Sequence, residues 1–220
     1  MMNQPLISKL NTWERKEKEI LALLISALNF LSLIPLHDQS EPAINRKLYW
    51  ALRRQAARPS YFVMCEANNQ PSDEEVTEKE RERKRPDIQI LWKDTLEQDP
   101  LKCQREYIIE CKRLGRPMAS RIFTSEYVMN GIKRFVAKSH GYAKGCSSGT
   151  MVGYIQNMEL QDILKEVNAT SSLIPLPPLV LIDNWNIKGV SQLEQFLERL
   201  EIEPSQFYLK HLWADFRAIV

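Results

Sequence analysis

The chain has 220 residues and a mass of 25.7 kDa, with 44% apolar and 26% charged residues and 30 Lys+Arg against 28 Asp+Glu. That length is enough for one domain with a full core, and 7 glycines and 12 prolines exclude collagen-like and low-complexity chains. Cys65, Cys103, Cys111 and Cys146 show neither close pairing nor zinc-ligand spacing, so reduced thiols and a cytoplasmic location are expected.

The net charge of +2 is unevenly spread: −1 over residues 1–100, +7 over 101–150 and −4 over 151–220. A basic band in the middle suits a polyanion, although a solvated basic surface would read the same way. The amino terminus lacks a basic start leading directly into an apolar stretch and a cleavage site, so no signal peptide is expected. The longest apolar stretch, Ile20 to Leu36, contains Asn29 and Pro35 and reads as a buried helix rather than a membrane span.

Leu6 to Leu33 has helix-forming composition and predicts one long helix or two stacked ones. Ser40 is placed as an N-cap and Pro42 in the first turn of a second helix, whose face carries Ile44, Leu48, Ala51 and Leu52. Glu41 opens that helix. Tyr61 to Glu66 reads as a strand, and residues 68–85 are too poor in apolar groups to order by burial. Asp87 to Trp92 and Glu106 to Lys112 then read as neighbouring antiparallel strands.

Ser125 to Val136 has helical spacing, capped by Thr124 or Ser125, with Val128, Ile132 and Phe135 toward the core and Lys133, Arg134 and Lys138 outward. Gly131 inside it suggests close approach of another backbone. A strand over Thr150 to Ile155, a helix over Leu160 to Val167 and a short strand over Leu179 to Ile182 follow. Ser191-Gln192-Leu193-Glu194 reads as a capping box opening a further helix, and Phe207 to Phe216 as a closing strand. The expectation is a single α/β domain: a helical segment at 1–36, a core at 40–160 and a helix/strand extension at 161–220. Its Leu- and Phe-rich tail from Ser191 is a candidate partner surface.

The chemistry gathers at Pro86-Asp87 and Glu110-Cys111-Lys112. Residues two apart on a strand share a face, so Glu110 and Lys112 project together while Cys111 faces the other layer. Asp87 can sit beside them if the strands pair. Two such carboxylates make an oxygen-rich site for a hard divalent cation. The plainer alternative is an ion pair of Glu110 with Lys112 on a solvated strand face, with Asp87 opening a turn.

These residues resemble the PD-(D/E)XK nuclease superfamily with its restriction-endonuclease-like fold: Pro86-Asp87, a 22-residue gap, then Glu110-x-Lys112. The order of elements is also similar, over about residues 40–160. The resemblance implies a mixed central sheet flanked by helices and phosphodiester hydrolysis in DNA with Mg²⁺ or Mn²⁺. It implies Asp87, Glu110 and the backbone carbonyl of Cys111 as metal ligands. Lys112 would position or deprotonate the water, and Glu41 would orient the metal or its water. A restriction or phage-defence role in bacteria, and a homo-oligomer or partner subunit, follow from the same resemblance.

Arg113, Arg116, Arg121, Lys133, Arg134, Lys138 and Lys144 would grip the phosphate backbone. Tyr127, Phe135, Tyr142 and Tyr154 are read as core residues. His37, His140 and His211 are too scattered for a zinc site, and GYAKGCSSGTMVGY lacks the ending of a phosphate loop. Glu66 is taken as a strand-end acid. The competing function is a non-catalytic nucleic-acid-binding or scaffold subunit with the same fold.

Overall fold

A computed structural model describes residues 4–56, 61–69, 83–99, 103–182 and 189–217, with side chains from Thr12 onward. The described residues form a mixed α/β architecture built on a seven-stranded sheet of order β1-β2-β3-β4-β7-β6-β5. The expectation for residues 68–85 falls largely on residues outside this description.

α1 (Gln4–Ser32) is one continuous helix, followed by α2 (Glu41–Gln55). Ser40 is the N-cap of α2 and Pro42 lies in its first turn, as read, although the Ser40 hydroxyl makes no capping bond. β1 (Phe62–Cys65), β2 (Ile88–Lys93) and β3 (Gln104–Leu114) form an antiparallel run. The chain then crosses over through α3 (Phe123–Tyr127), a π-helical turn (Val128–Ile132) and α4 (Lys133–Val136) to β4 (Ser148–Ile155). β4 lies parallel to β3, as such a crossover connection requires. α5 (Leu160–Ser172), β5 (Val180–Leu181), β6 (Val190–Glu198) and β7 (Gln206–Asp215) complete the described elements.

The side-chain alternation of the strands explains two separate cores. Tyr107, Ile109 and Cys111 of β3, Val152 and Tyr154 of β4, and Leu212 of β7 pack under α1 and α2 with Ile20, Leu24, Leu28, Ile44 and Leu48. Their neighbours along the strands, Ile108, Leu114, Met151, Leu209 and Trp213, face the opposite layer with Tyr127, Val128, Ile132, Phe135 and Ile163. Buried on both faces, β4 has no exposed position at all.

Two sequence expectations are corrected. Ser191 to Glu194 opens no helix, because it belongs to β6. The period-two burial of Leu193, Gln195 and Leu197, and nine register pairs with β7, prevail over a four-residue capping signature. Much of the tail is core, since β7 lies between β4 and β6 and Phe207, Leu209, Leu212 and Trp213 are buried, while Phe196, Leu200 and Tyr208 are exposed. The crossover helix also begins earlier than expected, at Phe123 with Ile122 as N-cap, and the Thr124 hydroxyl instead donates to Glu166. No helix among the described residues is long and apolar enough to cross a membrane.

Candidate active site

The β2–β3 register fixes the first part of the site. Ile88 pairs with Ile109, so one step outward Asp87 stands across from Glu110 at the mouth of the two strands. Directly opposed residues share a face. Asp87 is anchored by accepting the backbone N–H of Cys111 at its Oδ2, 2.7 Å away. Cys111 itself faces the α1/α2 core, as its odd position demands, and Glu110 and Lys112 lie on the other side.

Glu41 arrives from a different direction, as the first residue of α2, where the helix dipole favours an acid. Its Oε1 accepts from Lys112 Nζ at 3.0 Å, and its Oε2 from the backbone N–H of Arg113 at 3.3 Å. The Lys112 ammonium also donates to Glu110 Oε1 at 2.8 Å and to the Cys111 carbonyl at 2.8 Å, and lies 3.7 Å from Asp87 Oδ2. Residues separated by up to 71 positions are thus drawn to one ammonium. The Lys112 stem passes beneath Gly131 of the π turn, where an added Cβ would stand 3.4 Å from Lys112 Cγ and 2.4 Å from the Met151 methyl. The expectation of a neighbouring backbone at Gly131 is thus corrected: what approaches it is the side chains of Met151 and Lys112.

Arg134 departs from the sequence reading. A regular helix through Val128, Ile132 and Phe135 turns it outward, but the π turn alters the helical phase ahead of α4. Arg134 instead lies half-buried, with a guanidinium nitrogen donating to Glu110 Oε1 at 2.5 Å. It joins the site as an electrostatic partner of Glu110. A helical-wheel reading has no signal for this, since nothing local in Val128-Met129-Asn130-Gly131-Ile132 announces a π turn.

The site is largely buried and rich in ionisable groups. The Glu110 side chain is fully buried and Lys112 is 8% exposed, whereas Asp87 and Glu41 each keep 16%. Burial, and behind it the charge of Asp87, pushes the Glu110 carboxyl up to about 8 against the pull of Lys112 and Arg134. Burial alone would lower the Lys112 ammonium, but the charges of Glu110, Asp87 and Glu41 outweigh it and hold lysine well above its usual range. Both directions mean that the cluster grips protons more tightly than the free side chains do. With every member ionised it holds three carboxylates against two cations.

One atom of this cluster stands unsatisfied: Glu110 Oε2 is buried and has no hydrogen-bond partner. A buried, unpaired carboxylate oxygen costs stability, and oxygens of the kind offered by Glu110, Asp87 and the Cys111 carbonyl are those a hard divalent cation takes. Among the described residues no three His, Cys, Asp or Glu side chains stand close enough to enclose a metal by themselves. A divalent ion at these oxygens would therefore draw on the backbone carbonyl and on water, as Mg²⁺ commonly does.

The remaining basic residues lie along the crossover that follows β3. Arg113 is half-buried with its guanidinium 4.4 Å from the centre of the Phe123 ring. Arg116 is exposed, Arg121 is exposed and paired with Glu126, Lys133 is exposed, and Lys138 pairs with Glu201 at 2.9 Å. Lys144 is half-buried in the turns before β4. Glu66 is exposed at the end of β1, its backbone N–H bonded to the Asp87 carbonyl, in keeping with a strand-end role. Tyr127, Phe135, Tyr142 and Tyr154 are all buried, as read.

No family model, curated protein or solved structure matches this chain.

Proposed function

We propose that this chain is a metal-dependent nuclease of the PD-(D/E)XK type, hydrolysing phosphodiester bonds in DNA, with a restriction-endonuclease-like core over about residues 40–160, strands β1 to β4. The observation that carries the reading is the convergence of Glu41, Asp87 and Glu110 on the Lys112 ammonium, with one Glu110 oxygen left unpaired. The antiparallel β1-β2-β3 run followed by a helical crossover to a parallel β4 supports it. Stability does not ask for such a cluster: a buried ion network rarely outperforms a packed apolar core.

Asp87, Glu110 and the Cys111 carbonyl would hold Mg²⁺ or Mn²⁺. Such an ion, when bound, lowers the pKa of a coordinated water and offsets charge on the reacting phosphate. Lys112 supplies a fixed positive charge beside the attacked phosphate and orients the nucleophilic water. Without metal, the charges of Glu110, Asp87 and Glu41 hold Lys112 protonated. Glu41 aims the ammonium, and Arg134 holds Glu110 by one oxygen. The exposed cations after β3 would follow the phosphate backbone. Double-strand cleavage calls for two such sites, hence a homo-oligomer or partner subunit, in a bacterial restriction or phage-defence setting.

The test is cleavage of supercoiled, linear and single-stranded DNA with Mg²⁺, with Mn²⁺ and with chelator. Wild-type protein should cut only with metal, and Asp87→Ala, Glu110→Ala and Lys112→Ala should each be inert while folded. Metal-dependent cutting that survives in all three variants would refute the assignment. A folded wild type that neither cuts nor binds metal would favour the scaffold reading.

A further inference from the structure

Of the groups assigned above to a divalent cation, the Cys111 carbonyl and Asp87 already face Lys112, and Glu110 meets it through Oε1, leaving only Oε2 unpaired. Its ammonium has three protons to give, and it sits among four oxygens: Glu110 Oε1 at 2.8 Å, the Cys111 carbonyl at 2.8 Å, Glu41 Oε1 at 3.0 Å and Asp87 Oδ2 at 3.7 Å. The side chain thereby takes the place of a cation in a cage of oxygens. Those spacings suit an ammonium and exceed the roughly 2.0–2.1 Å that Mg²⁺ requires, in agreement with the lack of a preformed metal-enclosing trio among the described side chains.

Charge sharpens the point. Three carboxylates against Lys112 and Arg134 leave one surplus negative charge when all are ionised. A divalent ion added with the ammonium still in place would turn that into a surplus positive charge in a buried site, whereas an ion that takes the ammonium's seat meets three acids and Arg134 alone. Arg134 does not compete in the same way, because within the cluster it bonds Glu110 Oε1 while its other side-chain partner is Tyr142, and it approaches from α4.

Building on the reading of this cluster as a metal centre, we propose that Lys112 is its resident counter-ion, and that a divalent cation binds by displacing the Lys112 ammonium from the carboxylates. Metal binding and release of Lys112 are then one event. The lysine becomes available to a phosphate only once the metal is seated, so the site is held together and inactive without metal.

The experiment is calorimetric titration of the full chain with Mn²⁺ alone, without DNA, in wild type, Lys112→Met and Arg134→Met, paired with melting curves in chelator. Lys112→Met should bind Mn²⁺ at least tenfold more tightly than wild type and melt lower in chelator, and Mn²⁺ should raise its melting temperature more. Arg134→Met should change the affinity less than threefold. Equal affinities in wild type and Lys112→Met, or equal tightening in both variants, would overturn the displacement while leaving the metal centre standing. Absence of Mn²⁺ binding in every protein would overturn both. Should Lys112→Met not fold, Lys112→Met combined with Glu41→Gln, which removes one charge of each sign, is compared with Glu41→Gln alone and read by the same criteria.

Discussion

Two buried positive charges in this molecule are held in opposite ways. Arg199, directly after β6, is fully buried, and its guanidinium donates to backbone carbonyls: Tyr142, Ala143 and Cys146 before β4, and Pro204 in the β6–β7 turn. Its guanidinium lies over Phe207, 4.1 Å from the ring centre. Burial pulls it down to about 10, so it remains charged at neutral pH. Lys112 is nearly as buried but is surrounded by carboxylates, one of which keeps an unpaired oxygen. Arg199 ties two loops together and satisfies the carbonyls it meets. The Lys112 cluster instead gathers three carboxyl groups around one ammonium and leaves one of their oxygens unpaired, which is the feature the proposed metal site would use.

The largest expected effects set these two clusters against each other. Glu110→Gln should reduce metal-dependent cutting at least about a thousandfold, roughly 4 kcal/mol of barrier, while the protein folds as well as wild type at neutral pH, since an isosteric amide replaces a carboxyl that burial disfavours as an anion. Arg199→Met should do the reverse. It strands the carbonyls of Tyr142, Ala143, Cys146 and Pro204 and should cost about 3 kcal/mol of stability, seen as a lower urea midpoint with an unchanged slope. Its residual cutting, below the melting point, should stay near wild type. A Glu110→Gln protein that cuts normally would erase the distinction.

The separation between the two clusters also explains what the sequence could disclose. Strands β2 and β3, the acid at the start of α2 and the pairing of Asp87 with Glu110 were legible, because alternation and spacing fix which face a strand residue takes. Arg134 was not, because its inward turn depends on a π-helical turn with no local signature. Arg199 was equally hidden: in sequence it is one more charge in a segment whose Ser191 to Glu194 imitates a helix start, and only pairing with β7 makes it a strand end. Features fixed by local periodicity were readable, and features fixed by contacts between distant segments were not.

Acidity gives a second comparison, between Glu110 and the buried His211. Raised from 4.5 to about 8, Glu110 makes the folded state hold more protons than the unfolded one across that window, so its contribution weakens stability as pH rises from about 4.5 to 8. His211, pulled from 6.5 to about 3 by burial, does the opposite: stability is lost as pH falls below about 6.5. The two slopes, each at most about 1.4 kcal/mol per pH unit, oppose each other between about pH 4.5 and 6.5. Urea melts in chelator should therefore show Glu110→Gln abolishing the loss between pH 6.5 and 8 and steepening the acid-side loss. His211→Phe should flatten the acid side and leave the alkaline fall in place.

A smaller effect separates two roles for Arg134. Arg134→Lys keeps a charge near Glu110 but loses the planar fork. If Arg134 acts through Glu110, kcat should fall about tenfold, 1.4 kcal/mol, with KM for DNA unchanged. A residue that grips the phosphate backbone would instead raise KM and leave kcat alone. Steady-state cleavage at fixed metal concentration distinguishes them, and the 2.5 Å contact with Glu110 favours the first result.

The smallest effect belongs to Lys138, the surface counterpart of these buried charges. Its ammonium is 73% exposed and pairs with a Glu201 that is 62% exposed, so solvent screens the pair and side-chain entropy opposes it. Lys138→Ala should shift stability by less than about 0.5 kcal/mol. DNA binding should respond differently: a lysine at the phosphate backbone releases about one counterion, and its loss lowers the slope of log affinity against log salt by about 0.9. Fluorescence anisotropy between 50 and 200 mM salt, in chelator to prevent cutting, should show that flatter slope at unchanged stability. An unaltered slope would move the DNA track away from the end of α4 and onto the cations closer to β3, namely Arg113, Arg116 and Arg121, without touching the assignment of the buried cluster.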